Sequence, residues 1–237
     1  MKSERASIIV NGEALVLLTA GAMLRPACGT LVVSDLHLEK GSNFAARGVL
    51  LPPYDTRTTL RRVATLMKNL KPRRVISLGD AFHDQHAEAR MDAGDAEFLS
   101  TLTSSADWIW VLGNHDPEPP ARFAGAVELA VKIGGLLFRH EPQSPAEAGE
   151  VAGHLHPVAR VKTQGGAMRR RCFVTDGARL VMPAFGAYAG GLNVLDAAFA
   201  PLFAEFRCHV LGGDGVYPFW GQALSPDAGS AAARRAG

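Results

Sequence analysis

The sequence predicts an α/β fold, with a core of alternating strands and helices that continues into a mostly antiparallel sheet. Three observations predict it. Between residues 31 and 112, short apolar runs alternate with segments of helical periodicity, the pattern of parallel strands joined by crossover helices. From about residue 126 onward, strand-like runs follow one another with turn residues between them. The apolar runs of the first half each end in Asp or Asn within three residues, which puts polar groups at the carboxyl ends of strands, where ligands gather in α/β sheets.

The elements follow in order. Ile8-Ile9-Val10 and Leu15-Val16-Leu17-Leu18 flank Asn11-Gly12, a hairpin turn signal. That turn also breaks the apolar region between Lys2 and Ala27, which otherwise mimics a secretion signal with Arg5 in its basic part. Leu31-Val32-Val33 is a buried strand leading into Ser34-Asp35-Leu36-His37, and a loop is expected through Gly41 to Pro52-Pro53. A helix runs from Asp55 to Leu70 with Leu60, Val63, Met67 and Leu70 on one face, Asp55 as its N-cap and Pro72 closing it. Val75 to Leu78 is a strand ending at Gly79-Asp80, residues 91–103 are helical, and Trp108 to Leu112 is a strand ending at Gly113-Asn114-His115-Asp116. Further strands are expected near 126–133, 135–139, 158–163, 171–176, 178–183 and 207–211, with Asp176-Gly177 as a tight turn. One domain is expected over residues 1–222. Residues 223–237, rich in Ala, Gly, Ser and Arg, read as a flexible tail.

Composition narrows the function classes. The 237 residues are 47% hydrophobic and 20% charged, which is globular and large enough for a substantial core. A formal charge of +2 demands no polyanionic partner, so any nucleic-acid contact must come from local patches. Basic groups cluster at Arg57, Arg61, Arg62, Lys68, Lys71, Arg73 and Arg74, and again at Arg160, Lys162 and Arg169 to Arg171; both read first as solvated faces. No aromatic-interleaved stacking platform is evident. Three widely spaced cysteines, Cys28, Cys172 and Cys208, build neither a disulfide framework nor a CxxC zinc site, and point to reduced thiols in a cytoplasmic protein. No apolar run reaches the ~20 residues of a membrane span.

The chemistry lies at the strand ends. Asp35, Asp80, Asn114 and His140 each follow an apolar run, and Gly153-His154-Leu155-His156 adds two imidazoles. In an extended segment, residues i and i+2 share a side, so Asp35 with His37, and His154 with His156, can serve one polar centre. Gly79 and Gly113 let the backbone turn sharply beside it. Asp80 has two oxygens and could bridge two cations. His83, His86 and His209 fall outside this set; His83 and Asp84 follow Asp80 closely and could touch its surroundings, but read first as surface-loop residues, and His209 as structural.

Asp35-x-His37, Gly79-Asp80, Gly113-Asn114-His115-Asp116, His140 and Gly153-His154-x-His156 together resemble the motif set of the calcineurin-like metallophosphoesterases. The resemblance implies a four-layer αββα sandwich of two mixed β-sheets flanked by helices. It implies one metal held by Asp35, His37, Asp80 and His156, and a second held by Asp80, Asn114, His140 and His154. His115 would be the catalytic histidine and Asp116 would orient it. The mixed oxygen and nitrogen donors suit two divalent ions, manganese first, with iron or zinc as alternatives. Such a pair would supply an activated hydroxide for in-line attack on phosphorus.

Longer phrases extend the likeness. Ser34-Asp35-Leu36-His37-Leu38-Glu39-Lys40-Gly41, Leu51-Pro52-Pro53-Tyr54-Asp55-Thr56, His140-Glu141-Pro142, Arg169 to Phe173 and Met182 to Gly186 look like the bacterial ligase-associated phosphoesterases. That resemblance implies a manganese-dependent endonuclease acting on single-stranded DNA in repair, associated with a DNA ligase, a helicase and an exonuclease, and no membrane. A homodimer is the default assembly. Two rivals are a nucleotide or other small-ester phosphatase of the same fold, and a non-catalytic scaffold of the retromer type. A diester-against-monoester comparison separates the first. The second is disfavoured because every ligand position and the catalytic histidine are filled.

Overall fold

The computed structural model describes residues 5–49, 51–118, 120 and 122–227. Two mixed β-sheets pack face to face with flanking helices, as the sequence predicts. The first sheet runs β1 (Arg5–Val10), β2 (Glu13–Leu18), β3 (Met23–Arg25), β4 (Thr30–Ser34), β5 (Arg74–Leu78), β6 (Asp107–Val111) and β7 (Ala126–Glu128), in that order. Pairing is antiparallel from β1 to β4 and parallel from β4 to β7.

The second sheet holds β8 (Ala130–Ile133), β9 (Leu136–Arg139), β10 (Glu150–Ala152), β11 (Val158–Thr163), β12 (Gly166–Thr175), β13 (Leu180–Val181), β14 (Arg207–Leu211), β15 (Val216–Phe219) and β16 (Leu224–Ser225). Its order is β15-β14-β12-β13-β10-β9-β8, with β11 paired to β12 and β16 to β11. Only β10 runs parallel, to both β9 and β13.

Strand alternation divides the core. Leu31, Val33, Val75, Trp108 and Trp110 turn toward Leu60, Val63 and Met67 of α2 (Asp55–Leu70) and Leu99 and Leu102 of α4 (Ala93–Ser104). Their neighbours Val32, Ile76, Leu78, Ile109 and Val111 turn the other way, onto Leu136, Phe138, Val151, Phe173 and Leu180 of the second sheet. Behind that sheet, Cys172, Val174, Val181 and Val210 are covered by Val194, Phe199 and Phe203 from loops and a single 3-10 turn, Ala197–Phe199.

Four local expectations change. The segment before Pro52 is not all loop, because Lys40–Ala46 forms α1; a further short helix, α3, spans Ala87–Arg90. Tyr54, not Asp55, is the N-cap of α2; the Asp55 carboxylate instead accepts from the Gly41 N–H at 2.9 Å and ties α2 to α1. The run at 126–133 is two strands in different sheets, with the exposed Leu129 at the crossing. The expected tail begins too early: Leu224 and Ser225 are buried and pair with Arg160 and Val161. The rest of that tail, 228–237, and Lys2 lie outside the described residues. Among the described residues no helix is long and apolar enough to cross a membrane, and Cys28, Cys172 and Cys208 are free thiols.

Candidate metal centre

Five loops meet where β4, β5, β6, β9 and β10 end. Backbone bonds carry the strand pairing past those ends. The Asp35 N–H donates to the Gly79 carbonyl at 3.2 Å, His37 N–H to Asp80 at 2.9 Å, Gly79 N–H to Val111 at 3.0 Å, and Gly153 N–H to His140 at 2.9 Å. Within each sheet the loops are therefore fixed relative to one another before any side chain is placed.

The local conformation differs from the extended one expected. Asp35 (φ 52°), His37 (φ 44°), Glu39 (φ 65°), Asp80 (φ 42°), His154 (φ 66°) and His156 (φ 46°) all occupy the left-handed region. For residues other than glycine that region costs ~1–2 kcal/mol each. The i and i+2 side chains do converge, but through alternating left-handed residues rather than strand geometry. Two glycines make room. A Cβ on Gly79 (φ 71°) would overlap the His140 ring, and one on Gly113 would overlap the Asp80 backbone and carboxylate.

The donor atoms form two nests. In the first, His156 Nε2 lies 3.2 Å from Asp35 Oδ1 and 3.2 Å from His37 Nε2. In the second, Asn114 Oδ1 lies 2.9 Å from His140 Nε2 and 3.0 Å from His154 Nδ1, and those two nitrogens are 3.1 Å apart. Asp80 Oδ2 sits between the nests, 3.8 Å from His37 Nε2 and 3.4 Å from His140 Nε2. Lone-pair atoms crowding this closely repel unless a proton or a cation lies among them. In the second nest, three such atoms converge and no single proton satisfies them all. Buried carboxylate, amide oxygen and imidazole are the donors a first-row divalent cation takes, so the residues fit a pair of ions.

Charge states agree with that fit. Burial alone would raise the Asp35 and Asp80 carboxyls, yet the surrounding imidazoles hold both below the ordinary range, Asp80 at about 2. Burial pushes His37 down to about 3, against the pull of Asp35 and Asp80, so its ring is neutral. His154 is also lowered by burial and by His140. His140 is opposed by burial but raised on balance by its bond to Asp80 and the charge of Asp35. The centre therefore offers ionised carboxylates beside the neutral imidazoles of His37 and His154, the ligand states metals require.

His115 lies at the mouth, its side chain 43% exposed, with Nε2 4.0 Å from Asp80 Oδ2. Its Nδ1 is 3.0 Å from the His83 carbonyl. A carbonyl only accepts, so Nδ1 carries the proton and Nε2 is left free to exchange one. The expected role of Asp116 does not match its contacts. Its carboxylate accepts the N–H groups of Phe82 at 3.0 Å and Gly113 at 3.2 Å, tying the two loops together. Burial, with the charge of Asp80, pushes its pKa up to about 7.

His83 was read as a surface-loop residue, yet it belongs to the centre. Its ring stacks on His115 at 5.4 Å and lies edge-on to His37 at 5.5 Å. The nearness of His83 to Asp80 in sequence was the one available signal. His209 is a buried strand residue of β14, as expected.

Part of each basic cluster is spent within the fold, while Arg61, Lys68, Lys71, Arg73 and Lys162 are exposed. Arg57 pairs with Asp95, Arg74 with Asp107, and Arg169 with Asp227. Arg62 and Arg171 donate to the Phe185 and Ala184 carbonyls, and Arg160 to Pro226.

Comparison with known proteins places this arrangement. The chain is similar to the nuclease MPE of Pseudomonas putida, with 26% identity, a TM-score of 0.68, and coverage of 91% of this chain and 100% of that one. A phosphoesterase from E. coli, Yfce, matches at 12% identity and a TM-score of 0.40 over 83% of this chain and 99% of that one, too remote to bear on the argument. No curated protein sequence matches. The calcineurin-like phosphoesterase pattern matches residues 30–174, a span that contains every residue of both nests. The chain thus belongs to the calcineurin-like phosphoesterases, a family of typically binuclear, metal-dependent hydrolases of phosphate esters.

Proposed function

We propose that this chain is a two-metal phosphodiesterase that cuts DNA, acting as an endonuclease on single strands in repair. The observation that carries the two-metal reading is Asp80 Oδ2, placed between two separate sets of ligand atoms. Asp35, His37 and His156 would hold one ion and Asn114, His140 and His154 the other, with Asp80 shared; manganese is the expected metal. Such ions supply an acidified water and neutralise charge on the phosphate oxygens.

The protein's own groups do the rest. Asn114 is exposed and His154 half-buried, so they form the solvent-facing side of the second nest, with His140 buried behind them. His115, once Nε2 has taken up a proton, would give that proton to the departing oxygen and return to the neutral ring, with Nδ1–H held on the His83 carbonyl throughout so that only Nε2 exchanges. Asp116 acts at one remove, by holding the loop that carries His115 against Phe82. The nuclease among the similar structures, and the motif phrases shared with ligase-associated phosphoesterases, support DNA over small esters.

The test is manganese-dependent cleavage of closed circular single-stranded DNA. His115→Ala should slow cutting by ~10²–10⁴ with metal content unchanged. Robust hydrolysis of a small phosphate ester without any cutting of DNA would move the substrate to nucleotides or other small esters.

A further inference from the structure

We infer that α1 and the entry to α2 form a binding wall for an unpaired nucleic-acid strand, on which Arg47 takes a backbone phosphate and Tyr54 stacks a base. The inference rests on the nuclease reading and specifies how that substrate is held.

The wall borders the bond to be broken. A ladder of three rings runs from α1 to the proton-transferring imidazole: Phe44 stacks on His83 at 6.3 Å, and His83 stacks on His115 at 5.4 Å. Lys40 opens α1 and Arg47 closes it as the C-cap, so the helix carries a cation at each end. A strand whose phosphate occupies the nests therefore passes along α1.

Charge complementarity favours a polyanion there. The acids on these elements are turned inward. Glu39 accepts from Thr56, Asp55 from the Gly41 N–H, and Asp84 from Asn43 at 2.7 Å and Arg90 at 2.9 Å. Among the described residues, neither Lys40 nor Arg47 forms an ion pair with them. Lys40 and Arg47 are therefore the cations that α1 itself offers beside the site.

The apolar character favours unpaired bases. Tyr54 is 67% exposed and Val49 49% exposed, on the stretch joining α1 to α2. Tyr54 directly precedes Asp55, whose bond to Gly41 puts it on the same rim as α1. A duplex hides its base faces, whereas a single strand offers them to an aromatic ring beside a cationic track. The rim is also rigid. Asn43 and Arg90 clamp it through Asp84, and Arg90 Nε reaches Ser42 at 3.2 Å. Binding therefore loses little entropy to ordering.

The experiment compares metal-loaded full-length wild type with Arg47→Ala and Tyr54→Ala, two exposed substitutions outside the nests. Each is assayed on circular single-stranded DNA and on bis(p-nitrophenyl) phosphate. Each should lower kcat/KM on DNA by about 10-fold, within the range for losing a stacked base or a phosphate contact, mainly through KM. Hydrolysis of the small diester, too short to reach the rim, should stay within about 2-fold. Arg47→Ala should also make the log–log salt dependence of KM shallower by ~0.7, and Tyr54→Ala should leave it unchanged. Wild-type cutting of DNA by both variants overturns the wall and leaves the nuclease reading intact. Equal losses on both substrates overturn it as well, since the residues would then act on the chemistry. A wild-type enzyme that hydrolyses the diester but never cuts DNA overturns the nuclease reading instead.

Discussion

Replacing Asp80 by Asn tests the shared-oxygen geometry directly. Oδ1 of Asp80 accepts the His115 N–H at 3.0 Å, a bond that an amide oxygen can keep, so the loop should stay in place. Oδ2 is what changes. It lies 3.4 Å from His140 Nε2 and 3.8 Å from His37 Nε2, and becomes an NH2 that offers no lone pair to either nest. Disturbing only the outer partner of a ligand costs ~10–100-fold in metal affinity. Removing a direct anionic ligand should cost at least ~100-fold for each of the two ions by the same scale. His156→Ala is the comparison, because His156 contacts Asp35 and His37 and takes no part in the second nest. Equilibrium dialysis against manganese, with metal content measured on the protein, should show two ions lost in Asp80→Asn and one lost in His156→Ala. Retention of both ions at wild-type affinity by Asp80→Asn, or loss of only one, would refute the bridging role.

Other outcomes follow from the packing. Gly113→Ala should keep the far-UV circular dichroism of the wild type and lose ~10²-fold in turnover, the usual cost of displacing a reacting group by about 1 Å, because its Cβ displaces Asp80; undiminished turnover would contradict the crowding. Leu60→Ala, at a site 1% exposed between α2 and the first sheet, should lower the urea midpoint at constant m, by ~3 kcal/mol of stability. Burial opposes the Asp84 charge, but Arg90, the His86 N–H and Asn43 depress its pKa to about 2. A depressed carboxyl stabilises the fold above its unfolded pKa and loses that contribution as pH falls, here between about 4 and 2. Screening limits it to ~1 kcal/mol, so wild type and Asp84→Asn should differ near pH 7 and converge in acid; a gap independent of pH would exclude this cause.

Much of the centre was legible in the sequence because apolar strand runs announce where they end, and Asp35, Asp80, Asn114 and His140 stand at those ends. Helix α2 was legible down to its bounds, since Leu60, Val63 and Met67 repeat at helical spacing. Helix α1 was not. Gly41, Ser42 and Asn43 are weak helix formers, and the helix holds its place through bonds to Asp55 and Asp84 that are distant in sequence. The split at Leu129 carries no Gly or Pro to announce it. The left-handed backbone was hidden because Asp, His and Glu are ordinary residues, and only the assembled loops force that conformation on them. The orienting role of Asp116 came with the family resemblance, but the side chains of neighbouring residues in a turn diverge, and this one reaches Phe82 and Gly113.

The six left-handed residues around the nests have a consequence for the life of the protein without its metal. Their backbone is held in a costly shape that crowds acceptor atoms together, and a cation drawn among those atoms returns that cost. Deprived of it, the loops at 35–39 and 153–157 keep that strain uncompensated, so the metal-free chain should melt at a lower temperature than the loaded one. Metal scarcity would then be felt as a less stable chain, so that an enzyme unable to work is also the one more readily cleared.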